Sequence, residues 1–103
     1  MATRIEIGIC SQIASSKIVA LPVSIYEDGV PQSSFEYVFA AEDFSVAYDT
    51  VNTQIGTLHL GCCNSLTISN GLYQEWYYNG AAQANPVALI GQVVQDVSQY
   101  AFV

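Results

Sequence analysis

Two β-rich runs, Ser65 to Ser69 and Leu72 to Tyr78, flank the dipeptide Asn70-Gly71, and no other local pattern restricts the chain so narrowly. An Asn-Gly pair between such runs predicts a two-residue type I′ turn, because both central positions need positive φ and these residues tolerate it. That turn would set Ser69 opposite Leu72, Ile68 opposite Tyr73, Thr67 opposite Gln74 and Ser65 opposite Trp76. Side chains alternate along a strand, so Leu66, Ile68, Tyr73 and Tyr77 fall on one face and are read as core. Leu72, Trp76 and Tyr78 fall on the other face among Thr67, Ser69 and Gln74. A closed core would not choose such polar neighbours, so these three are the candidate partner-binding residues.

The remaining pattern is also strand-rich. Residues 3–9 alternate, with Ile5, Ile7 and Ile9 on one side of a half-buried strand. Ile18 to Tyr26 is a β-rich run whose Pro22 cannot donate to a ladder, which predicts an edge or bent strand. Asp28-Gly29 suits a tight turn, and Phe35 to Ala40 resumes as its paired strand. Thr57 to Leu60 is a short strand closed by Gly61. Residues 41–55 carry Phe44, Ala47, Tyr48, Val51 and Ile55 at helical spacing, which favours a helix over the competing alternation of Phe44, Val46 and Tyr48. Near the end, Asn85-Pro86 reads as a helix cap followed by Val87, Ile90, Val94, Val97 and Ala101 on one face. The last residues, Ala101-Phe102-Val103, are apolar for a chain end. These elements predict one strand-dominated α+β domain over residues 1–103 with a C-terminal helix. An all-β sandwich or barrel is the alternative if 41–55 and 86–100 are extended.

Only 11% of the 103 residues are charged, while 51% are hydrophobic. An ordinary soluble chain has about 25% charged residues, so this surface depends on Ser, Thr, Asn and Gln and is weakly protected against association. Two cations, Arg4 and Lys17, set against a net charge of −7, cannot neutralise a run of phosphates. Nucleic acid and anionic membranes are therefore not expected partners. The beginning of the chain shows no apolar stretch ending in a small-residue cleavage site, and no apolar run reaches about 18 residues. Cytoplasmic synthesis without a signal peptide is the expectation, with the final location left open and the virion one candidate.

Cys10, His59, Cys62 and Cys63 supply four ligand types for a Cys₃His zinc site. Neighbouring side chains of a strand point to opposite faces and the usual Cys-x₂₋₄-Cys spacing is missing, so reduced, metal-free thiols are expected. The same residues could form a Cys–His nucleophile pair, but no third group marks an oriented base. The nine carboxylates, as the pairs Glu27-Asp28 and Glu42-Asp43 and five single residues, are explained by separate turn, cap and surface roles, and no phosphate-cradling glycine motif or nucleophile elbow is present. The reading is of a chain that is not an enzyme, with no catalytic residues and no cofactor.

The resulting expectation is a structural subunit of a larger symmetric assembly, self-associating as a dimer or trimer. In composition alone the chain looks like the decoration or accessory proteins of virus particles, above all phage capsids and tails. The alternative is a small ligand- or carbohydrate-binding module in which Trp76 and Tyr78 stack on a flat ligand.

Overall fold

The computed structural model describes residues 2–102; Met1 and Val103, the last residue of the apolar terminal run, lie outside them. Strands β1 (Thr3–Ile7), β2 (Ser11–Gln12), β3 (Ile18–Glu27), β4 (Val30–Ala40), β8 (Glu75–Tyr78) and β9 (Ala81–Gln83) form the larger sheet. Strands β5 (Ser45–Tyr48), β6 (Gly56–Leu60) and β7 (Asn64–Ile68) form an antiparallel three-stranded sheet. Helix α1 (Pro86–Ala101) closes the chain. The architecture is the strand-dominated α+β type that the periodicity predicts, and neither sheet closes into a barrel.

Strand β3 organises the larger sheet. Its full length pairs with β4 on one side, while β1 and β2 share the other. Pro22 therefore lies in an internal strand and not at an edge, the first of the two expected settings; the ladder irregularity in β3 falls later, between Ile25 and Tyr26. The reason for the internal position is a break between β1 and β2: Gly8 N donates to Pro22 O at 3.0 Å, so the donorless side of the proline faces a gap in the ladder. Gly8 itself is pressed against Pro22, where an added Cβ would come within 2.7 Å of Cγ. The break also turns Ile9 outward, 53% exposed, while Ile5 and Ile7 stay buried.

The expected Asn70-Gly71 hairpin does not form. Strand β7 pairs with β6, and β8 lies parallel to β1, with Ile5 beside Trp76 and Ile7 beside Tyr78. Residues 69–73 make a wider turn in which Ser69 O accepts from Leu72 N and Tyr73 N at 3.2 and 3.0 Å. Fully burying a large apolar side chain is worth about 1.5–3 kcal/mol, and the parallel pairing places both Trp76 and Tyr78 against the core. That gain outweighs a local turn preference. The two-residue turns with paired positive φ are Asp28-Gly29 (50° and 81°) and Asn79-Gly80 (50° and 82°), which close β3–β4 and β8–β9.

The helix expected within 41–55 is replaced by a short 3-10 turn, Ala41–Asp43, and β5. The Phe44/Val46 alternation prevails because both side chains pack on the core from an extended backbone. Asp49 Oδ1 then accepts from Val51 N and Asn52 N at 2.7 and 3.1 Å, turning the chain away. Helix α1 starts as expected: Asn85 Oδ1 accepts from Ala88 N at 2.8 Å and Pro86 follows. Its buried face is Leu89, Ile90, Val93 and Val97, rotated from the expected stripe so that Val87 and Val94 are only half-buried. These residues meet Ile5, Ile7, Leu21 and Val23 of the larger sheet and Leu58, Leu60, Leu66 and Ile68 of the smaller one in a single core.

The two Asn-Gly pairs should respond differently to substitution. Gly80→Val should lower stability by about 1–2 kcal/mol, because a β-branched residue resists left-handed φ. Gly71→Val should change it by less than about 0.5 kcal/mol, since Gly71 is outside that region and nothing crowds its Cβ position closer than 3.7 Å. Urea midpoints of the two variants check this; equal losses would restore the tight 70–71 turn.

Candidate docking surface

The smaller sheet and α1 both pack on the inner face of the larger sheet, leaving its outer face to solvent. Strand alternation assigns side chains to each face. Arg4 and Glu6 lie outward between inward Ile5 and Ile7, and their registered neighbours Tyr26, Ser24, Glu75 and Tyr77 join them. The Arg4 guanidinium carbon lies 4.3 Å from the Tyr26 ring centre and 5.2 Å from that of Tyr77. Arg4 also pairs with Glu6 at 3.2 Å. Its buried Nε has no hydrogen-bond acceptor among the described residues, and the aromatic faces take that place. Lys17, the other cation, pairs with Glu42 at 3.3 Å.

The edge of this sheet is as open as its face. Among the described residues β4 pairs only with β3, and Val30 to Glu36 are all exposed. Glu36 is the one charged residue of its eleven. Val38, 54% exposed, stands on the outer face beside Ala20.

The three candidate contact residues are not brought together. Leu72 lies in the 69–73 turn and is 53% exposed. Trp76 and Tyr78 share the inward face of β8, next to Ile5 and Ile7, so the face assigned to docking is the core-facing one. Tyr78 is buried, and its Oη–H donates to Asp96 Oδ2 of α1. Tyr77, expected in the core, faces outward. The register moved by one residue because β1, not β7, is the neighbour of β8. Sequence reasoning missed Arg4, Tyr26 and the β4 edge as surface features; the alternation of Arg4 and Glu6 with isoleucine was the signal.

A shallow groove of about 240 Å³ runs beside β8 and β9, lined by residues including Trp76, Tyr77 and Gln83. It is smaller than the ~300–1,000 Å³ usual for ligand pockets. The Trp76 Nε1 is buried without a hydrogen-bond acceptor among the described residues.

Cys62 and Cys63 are bonded to each other, which corrects the expectation of three reduced thiols. They lie in the turn between β6 and β7, after Gly61 at φ 78°, not in a strand whose side chains would diverge. Cys10 is a free, buried thiol. His59 is exposed, and among the described residues no three His, Cys, Asp or Glu side chains are grouped to hold a metal. Comparison of the chain with protein-family models, curated proteins and solved structures finds no match.

Burial, then the hydrogen bond and charge of Asp96, hold the Tyr78 phenol well above its ordinary range. Burial, followed by Tyr37, raises Tyr73 as well. Both phenols are neutral in the fold when their unfolded counterparts ionise, near pH 10. Stability should therefore be unaffected by these groups below about pH 10 and fall as pH rises beyond it. Urea midpoints between neutral and alkaline pH should show that fall, and Tyr78→Phe should reduce it. At neutral pH Trp76→Ala should cost about 2–4 kcal/mol and Leu72→Ala less than about 0.5 kcal/mol; the reverse order would return Trp76 to the surface.

Proposed function

We propose that this chain is a non-enzymatic structural subunit of a larger symmetric assembly, of the kind that decorates or completes a virus particle such as a phage capsid or tail. The observation that carries this reading is the bare outer face of the larger sheet, with Tyr26 and Tyr77 arranged around Arg4. Tyrosine and arginine are the side chains that interfaces favour, since each offers a large contact area together with a polar end. Both are held in place before any partner arrives. Ion pairing and ring contacts reduce the freedom that Arg4 would otherwise lose on docking. The low charge of the chain supports the same reading, because few ions must be stripped of water when such a face is covered.

A ligand-binding reading retains one supporting observation, the groove beside Trp76. Trp76 and Tyr78 cannot form a stacking pair there, because Tyr78 is buried against α1. A ligand would meet Trp76 at its exposed margin.

The assembly reading predicts self-association, or attachment to a large particle, without any added small molecule. Tyr77→Ser should weaken that association at least about tenfold while changing stability by under about 1 kcal/mol. Light scattering on concentrated protein, with circular dichroism on the variant, checks both. A strict monomer that binds no particle, but whose tryptophan fluorescence responds to a sugar, would favour the ligand-binding reading instead.

A further inference from the structure

We propose that the free edge of β4 is a self-pairing site. Two copies of this chain join antiparallel, β4 against β4, about a twofold axis at Phe35, and the larger sheet continues from one subunit into the next. The proposal rests on the assembly reading and names the partner as a second copy.

The Pro22 carbonyl accepts from Gly8 N, so it faces the chain following β1 and points away from β4. Glu36 is registered opposite Pro22, in the regular part of the β3–β4 ladder. Across an antiparallel pair, residues that do not bond each other point their N–H and C=O groups to opposite outer edges. Glu36 therefore directs both groups to the free side of the sheet, and Ser34 and Val38, two residues away on either hand, do the same. Three successive donor–acceptor sets are left to water on an exposed edge.

An identical strand satisfies the sets of Ser34 and Glu36. Antiparallel pairing about a twofold axis is self-complementary, each N–H meeting the C=O that its own copy presents. Charge excludes one register, and the exposed Phe35 ring chooses between the two shifts that remain. Setting Glu36 against itself would place like charges directly opposite, which is destabilising. Shifting by one pair places Glu36 opposite Ser34 of the other copy and Tyr37 opposite Ser33. Phe35 then meets its own counterpart at a close, non-hydrogen-bonded position, which covers a ring now 38% exposed. The β3–β4 register shifts at Gln32, so the ladder ends at Ser33, and five residues pair over roughly 17 Å.

That contact is small, and each subunit carries a net charge of −7. The dimer is therefore weak, as low-area contacts are, and strengthened when salt screens the repulsion. A weak edge contact of this kind gains force when a particle holds many copies side by side.

Sedimentation velocity on the full chain, from about 10 μM to about 1 mM, tests the proposal alongside two variants. Glu36→Pro removes an outward N–H while leaving the β3 ladder intact, and it should raise the dimer dissociation constant at least about tenfold; Glu36→Gln, which keeps the N–H, should not. Phe35→Cys should cross-link to a covalent dimer under mild oxidation, because Cys10 is buried and Cys62 and Cys63 are already bonded. This second arm decides the matter if Glu36→Pro does not fold. Self-association that Glu36→Pro leaves unchanged, with no Phe35→Cys cross-link, would overturn β4 pairing while the assembly reading stands. Capture of another protein's strand in place of the cross-link would also overturn it. A chain that neither self-associates nor binds any particle removes the assembly reading itself.

Discussion

The parallel pairing of Thr3–Ile7 with Glu75–Tyr78 is the constraint on which the rest of the molecule depends. It joins the start of the fold to a segment far along the chain: Thr3 N donates to Gln74 Oε1 across 71 residues, at 2.7 Å. Everything between must loop out and return, so the three-stranded sheet forms within that excursion and ends against the same core. The pairing also decides which side of β8 is inside. With Ile5 and Ile7 buried, Trp76 and Tyr78 must follow them inward and Tyr77 must stay out. The helix inherits its position from this choice, because Asp96 meets Tyr78 on the inner face.

Local signals in the sequence succeeded where neighbours in the chain are also neighbours in space. Asp28-Gly29 turns between adjacent strands, Asn85 caps the helix that Pro86 begins, and Ile5 and Ile7 alternate into the core. They failed where a distant segment competed. Asn70-Gly71 has the chemistry of a tight turn, yet each flanking run found a better partner elsewhere. Residues 41–55 have helical spacing, but β6 offered Ser45–Tyr48 a complete ladder. Pairing of this kind depends on total burial, which no window of a few residues contains.

The candidate surface was legible only in part. Low charge points to contact, but the hairpin register puts Tyr77 in the core, on the wrong side of its strand. Arg4 gave a weaker signal, since a lone arginine in an alternating strand is ordinary. Its meaning came from Tyr26 and Tyr77, which reach it from two different strands. The openness of β4 could not be read at all, because being an edge is a property of the whole sheet and not of Val30–Ala40.

The bond between Cys62 and Cys63 has a thermodynamic corollary. A cross-link steadies a fold chiefly by shrinking the space its unfolded chain can explore, and the effect grows with the loop enclosed. Here the partners are adjacent residues, so the loop is the smallest a protein can make and the unfolded chain is hardly restricted. Neither sheet is tied to the other or to the helix by it. Reductants that dismantle many small β-rich proteins would open this bond at the turn and leave the folding equilibrium almost where it was. Chemistry at that tip is free to change without the core taking notice.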